Sequence, residues 1–169
     1  MELQFLGTSS GTPSRARNVS GLAVRATGSK HWYLVDCGEG TQHRILRTNY
    51  SPIGLRAIFI THIHGDHCYG LPGLLASAGL LNRSEPLLIA GPPAVERFVR
   101  GVMESTELRL PYALVFAAIA PGWTIDTLPD FHVEAAELSH RVPSFAFAFT
   151  EKSIERRLDT AKLERDGIA

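Results

Sequence analysis

The chain has 169 residues, 44% hydrophobic and 20% charged, with a formal net charge of 0. That length supports one domain with its own core. The charge balance excludes a global field as the means of holding a polyanion, so any nucleic-acid contact must be a local patch. No run approaches the roughly 18 apolar residues of a membrane span, and no basic, then apolar, leader opens the chain. Cys37 and Cys68 make no disulfide framework, and free thiols imply a reducing, cytoplasmic setting.

In chain order, Leu3–Leu6 reads as a first strand, followed by a Gly-, Ser-, Thr- and Pro-rich loop over Gly7–Asn18. Val19–Ala26 and Trp32–Val35 read as strands joined by a turn at Gly28-Ser29-Lys30. A short helix is predicted over Thr41–Thr48 with Thr41 as its N-cap. Leu55–Ile60 is an apolar strand, and Leu71–Leu81 is a nearly all-apolar helix, predicted to be buried between elements. Leu87–Ala90 and Ala113–Ile119 read as strands flanking a helix over Ala94–Glu104, which has proline at its start. Phe131–Leu138 alternates, Phe145–Phe149 has a clean period of two, and Ser153–Asp166 is charged and helix-prone with Ser153 as its cap.

The informative stretch is Thr61-His62-Ile63-His64-Gly65-Asp66-His67. It follows an apolar strand and precedes a helix, so its ligand-type side chains sit in a loop at a strand end. Alternate residues of an extended segment share a side, so His62 and His64 can converge on one ion. Gly65 lets the chain turn and aim Asp66 and His67 at a neighbouring position. Imidazole with carboxylate suits zinc. Cys68 reads as a small packing residue. Asp36 reads equally as an acid that orients a ligand histidine or as a loop cap. His31 and His132 read as surface residues. His43 reads either as part of a groove with Arg44 and Arg47 or as a solvated helix residue.

The histidine loop, together with Met1–Ser9, Pro13–Asn18, Asp36-Cys37-Gly38-Glu39-Gly40-Thr41-Gln42, Gly70-Leu71-Pro72-Gly73-Leu74-Leu75 and Leu138-Ser139-His140, resembles the ribonuclease Z (tRNase Z) family of the metallo-β-lactamase superfamily. The resemblance runs the length of the chain and matches the N-terminal half of that family. It implies an α/β fold, the αββα sandwich, here mainly its first half: residues 1–150 as the N-terminal part of the domain and 151–169 as the start of a flexible tRNA-binding arm. It implies an endoribonuclease that removes the 3′ trailer from precursor tRNA, cytoplasmic, using two Zn²⁺ ions and working as a homodimer at full length.

Residue by residue, the resemblance implies that His62, His64 and His140 hold one zinc, and that Asp66 and His67 hold the second. Asp66 would also position or deprotonate the attacking water. The same resemblance implies RNA contacts for Pro13, Arg15, Arg17 and Asn18, a segment that by composition alone reads as a plain surface loop. The family also has a metal-bridging aspartate, a fourth histidine ligand and a histidine that assists the leaving group; these have no counterpart in this sequence. A non-catalytic zinc- or RNA-binding module, or another phosphodiesterase of the superfamily, are the alternatives.

Overall fold

A computed structural model of the chain describes residues 1–153 and 165–167. An antiparallel ladder opens it: β1 (Glu2–Gly7) pairs with β2 (Gly21–Arg25), and β2 with β3 (Trp32–Val35). After α1 (Thr41–Ile45) the sheet continues in parallel, with β4 (Leu55–Phe59) on β3, β5 (Leu87–Gly91) on β4 and β6 (Leu114–Ala118) on β5. Parallel neighbours need crossover connections. Here these carry α2 (Gly65–Cys68) and α3 (Leu71–Leu80), then α4 (Pro93–Ser105). A second, antiparallel sheet follows, ordered β7 (Thr124–Ile125), β8 (Phe131–Leu138), β9 (Ser144–Glu151).

β4 shows why the layers form. Ile58, continued by Ile60, enters a cluster with Leu34, Leu71, Leu74 and Val95 on the helical side. Ala57 and Phe59 enter a second cluster with Tyr33, Phe131 and Phe145 between the sheets. A strand buried on both faces reads as a continuous apolar run, with its period of two hidden. Phe59 meets Phe149 edge-on at 5.2 Å and Phe147 at 5.3 Å between ring centroids, a geometry that favours aromatic pairs. The order of layers among the described residues is therefore helices, six-stranded sheet, three-stranded sheet. The smaller sheet leaves part of the larger one bare: Leu3 and Phe5 at its edge are 56% and 62% exposed.

Four expectations change. Thr41 is the first helical residue of α1, and the cap is Gly40 at φ 74°; the Thr41 side chain caps no helix N–H because it is fully buried. α3 buries one stripe, Leu71, Leu74, Leu75 and Ala78, spaced as a single helical face; Leu80 is 85% exposed, so the helix covers the sheet and is not sandwiched. The β2–β3 turn centres one residue earlier than expected, closed by the Ser29 N–H donating to the Ala26 carbonyl with Gly28 at φ 77°. The metal-type loop carries its own helical turn, α2. The expected helix over Ser153–Asp166 and most of the expected arm lie outside the described residues.

Candidate metal centre

β4 ends at Phe59, and the chain runs out as His62-Ile63-His64 before turning into α2. His64 has extended φ and ψ of −63° and 147° and stands at the N-cap position of α2. His140 arrives two residues after the end of β8. One ligand atom from each of His62, His64 and His140 lies within 4.8 Å of the others. His64 Nδ1 and His140 Nε2 are 3.2 Å apart. Two nitrogens on one tetrahedral zinc at about 2.0–2.1 Å stand roughly 3.3–3.4 Å apart, so this separation fits a shared ion. His62 is buried, His64 half-buried and His140 exposed, which leaves the cluster open on one side.

Asp66 and His67 sit on α2. The Asp66 Oδ2 accepts the Gly11 N–H at 2.8 Å and lies 3.4 Å from His67 Nε2. Burial pushes the Asp66 carboxyl up, but the Gly11 N–H, its own backbone N–H and the nearby His67 and His62 outweigh it, and the net pKa falls below 3.8. On the far side of the His67 ring, Nδ1 meets Asp36 Oδ2 at 2.7 Å. With the Nδ1 proton donated to that carboxylate, the Nε2 lone pair faces Asp66. Burial alone lowers the His67 pKa, while Asp36 and Asp66 together raise it by more, for a net rise.

Asp36 does both things its sequence context allows. It is 4% exposed and accepts the Thr61 N–H at 2.9 Å, the Thr61 hydroxyl at 2.9 Å and the Ser20 hydroxyl at 2.9 Å, besides His67. It thus caps the ligand loop and orients a ligand-type histidine, as carboxylates behind metal-binding imidazoles do. Thr61 Oγ1 also lies 3.0 Å from His62 Nδ1. His62 itself resists protonation: burial first, then the neighbouring His67, with His64 and His140, lower its pKa to about 4 against an opposing pull from Asp36. A neutral imidazole is the form a metal requires.

The family model described as "Anti-Pycsar protein Apyc1" matches residues 1–160. A ribonuclease Z from Marinobacter nauticus is 56% identical over 171 residues, covering 99% of this chain and 52% of that protein. The chain belongs to that sequence family and to the ribonuclease Z proteins. It spans about half the length of the curated relatives it matches. Among solved structures, human tRNase Z, short form, superposes with a TM-score of 0.83 at 32% identity, covering 90% of this chain and 66% of the human one. The metallo-β-lactamase fold protein YhfI of Bacillus subtilis gives a TM-score of 0.70 at 22% identity and 89% coverage of this chain and 58% of its own, a likeness of fold. The architecture is accordingly the metallo-β-lactamase α/β fold.

In this ribonuclease Z chain the loop of Pro13, Arg15, Arg17 and Asn18 reaches the metal-type cluster through Gly11. The Ser14 N–H donates to the Arg17 carbonyl at 2.8 Å, and the Arg17 N–H to Ser14 Oγ at 3.0 Å. The resulting turn leaves Pro13, Arg15 and Arg17 exposed. Asn18 is half-buried and structural: its amide donates to the Glu39 carbonyl at 2.8 Å, and its own carbonyl accepts the Thr8 and Ser9 N–H groups. Cys68 is buried, and its thiol points at the Ile63 carbonyl at 3.3 Å, away from a ligand role. His31 and His132 lie half-buried at the surface: His31 contacts Arg56 at 2.7 Å and His132 contacts Asp126 at 3.3 Å. His43 is exposed on α1. The sequence reading missed Gly11, whose contribution is a backbone N–H and leaves no side-chain signature. It also missed Thr61, whose hydroxyl sits between Asp36 and two histidines.

Proposed function

We propose that the protein carrying this chain is a zinc-dependent endoribonuclease that removes the 3′ trailer from precursor tRNA. One observation carries the reading: the ligand atoms of His62, His64 and His140 gather within 4.8 Å, beside Asp66 and His67, in a ribonuclease Z chain. Three imidazoles with one face open are the donor set of a catalytic zinc site, and Asp66 with His67 begin a second. When bound, zinc supplies a Lewis acid for a phosphoryl oxygen and acidifies water.

The residues then divide the work. His62, His64 and His140 fix the ion's place at the ends of β4 and β8. Asp36 fixes the His67 ring. Gly11 holds Asp66 Oδ2 and so fixes the carboxylate that receives a hydrogen from the attacking water. A carboxylate with a lowered pKa orients water better than it keeps a proton, so Asp66 acts chiefly by positioning. Arg15 and Arg17 offer planar guanidinium groups to the phosphates next to the cut. Residues 151–169 begin the arm that grips the tRNA body, and the full-length protein works in the cytoplasm as a homodimer.

A second reading has its own observation. Among the described residues, the cluster whose ligand atoms all lie within 4.8 Å of one another is His62, His64 and His140, without Asp66 or His67, so residues 1–169 alone suit a one-zinc RNA-binding module. Zinc per chain and cleavage of a precursor tRNA, measured on the full-length protein and on residues 1–169, separate the two. The expected result is chelator-sensitive cleavage at full length, with no more than trace cleavage and incomplete zinc in residues 1–169. Absence of cleavage at full length rejects the enzyme; two tight zincs and near-native cleavage by residues 1–169 reject the second reading.

A further inference from the structure

The α2 turn that carries Asp66 and His67 ends against an aromatic side chain with no role so far. Tyr69 is 62% exposed, and it directly follows α2. Exposed tyrosines usually sample several rotamers, but this one is held. Its ring lies on the α-carbon of Gly65, so closely that a Cβ there would overlap the ring atoms. The Phe98 ring of α4 backs it at 5.9 Å between centroids with an interplanar angle of 32°. The chain therefore fixes a large apolar surface in solvent, resting on the glycine that separates His64 from Asp66.

We infer that Tyr69 is a stacking platform for an unpaired nucleobase beside the linkage to be cut. The inference rests on the function proposed above and adds a subsite to it. Single-stranded RNA presents π-faces that any base can offer, and an aromatic ring already fixed in place loses little freedom on stacking. The Gly65 contact makes the platform part of the metal-bearing turn, so a base stacked there sets the register of the neighbouring phosphate over His62, His64 and His140. Arg15 and Arg17 hold phosphate charge but no base, so the two contacts are complementary.

The test is binding of a short single-stranded RNA to the zinc-loaded, full-length protein, with one base at a time replaced by fluorescent 2-aminopurine or by an abasic nucleotide. The wild type is expected to quench 2-aminopurine at one position. Tyr69→Leu should abolish that quenching and weaken binding about 5- to 150-fold, while Tyr69→Phe retains both. An abasic nucleotide at that position should produce the same loss, with no further loss when combined with Tyr69→Leu. Zinc content and melting temperature, measured on each variant, report a structural role. RNA binding that is unchanged in Tyr69→Leu overturns the inference and leaves the proposed function standing. A loss that tracks loss of zinc assigns the ring to holding the Gly65 turn, and a loss that appears equally in Tyr69→Phe assigns the effect to the hydroxyl; either result overturns the inference too. No RNA binding by the wild type overturns both.

Discussion

Two residues separate what is held from what binds. Asp36 sits at φ 58°, a left-handed conformation that Asp and Asn tolerate better than most residues. Its carboxylate gathers Ser20, Thr61 and His67. Asp36→Asn keeps the backbone tolerance but loses the charge that fixes His67. The expected result is a 10- to 100-fold fall in metal affinity, roughly the usual effect of removing such a partner, with little change in melting temperature; chelator competition measures it. Asp36→Ala adds an unsatisfied Thr61 N–H, and about 1–3 kcal/mol of stability should go with it. For the metal-free protein, His62 and His67 set opposite slopes in different pH windows. The His62 pKa is depressed from 6.5 to about 4, so the unfolded chain binds the proton first, and stability is lost as pH falls from 6.5 toward 4. The His67 pKa is raised above 6.5, so its contribution is present below 6.5 and is lost as pH climbs through the raised value. Urea midpoints across pH 4–8 should therefore peak near pH 6.5 as far as these two groups decide, and His62→Asn should flatten the acid side. An unchanged acid slope in that variant would show that His62 is not the group responsible.

At the scale of elements, the segment after β3 and the α2 turn behave as one stitched unit. The Cys37 N–H donates to the His67 carbonyl at 2.8 Å, and the Gly70 N–H to the Cys37 carbonyl at 2.9 Å. A Cβ at Gly38 would overlap the Asp66 carbonyl and the Val19 side chain. The glycines of the Asp36–Gly40 segment are thus there for close approach, and at Gly40 for a left-handed helix cap. Gly38→Ala should push the backbone of Asp66 outward. Overpacking of this kind costs about 1–3 kcal/mol, or roughly 2–12 °C in Tm for a chain of this size. Metal affinity should fall with it, because Asp66 moves with its own carbonyl. A variant with wild-type Tm and metal affinity would mean that α2 and the segment slide freely past one another. The elements most legible in the sequence were those whose pattern is set by their own packing. β3 and β8 match the read ranges, Trp32–Val35 and Phe131–Leu138: β3 is a short apolar run buried on both faces, and β8 alternates, burying Phe131, Val133 and Ala135. α2 was hidden because a single turn of four residues, Gly65–Cys68, has no periodicity to read. The N-cap at Thr41 misled because a β-branched hydroxyl residue before a helix reads the same whether it caps the helix or fills the core.

Across the whole molecule, the ligand-type residues were legible as a motif, but their convergence belongs to the fold. His140 is separated from His64 by 76 positions, and only the return of β8 alongside β9 beneath the first sheet puts it there. Charge is distributed in the same way. The chain as a whole carries a formal net charge of 0, so no long-range field draws a polyanion to it. On the function proposed above, affinity for RNA rests on local cations near the histidine cluster. Arg15 and Arg17 are exposed on the turn that follows Gly11, and Gly11 itself bonds Asp66, so both guanidinium groups lie in the loop tied to the site. Each phosphate neutralised releases counterions and contributes about 0.7–0.9 to the slope of log K against log salt. In the full-length protein, Arg15→Ala with Arg17→Ala should therefore flatten that slope by roughly 1.4–1.8, and should weaken binding most at low salt. Single substitutions should each remove about half of the effect, because two exposed guanidinium groups that share no buried partner act independently. Filter binding of a precursor tRNA from low to moderate salt measures this, with Tyr69→Leu as the contrast: loss of a stacking contact lowers affinity at every salt concentration and leaves the slope in place. A slope unchanged in the double arginine variant would move the phosphate contacts off this loop and onto another surface.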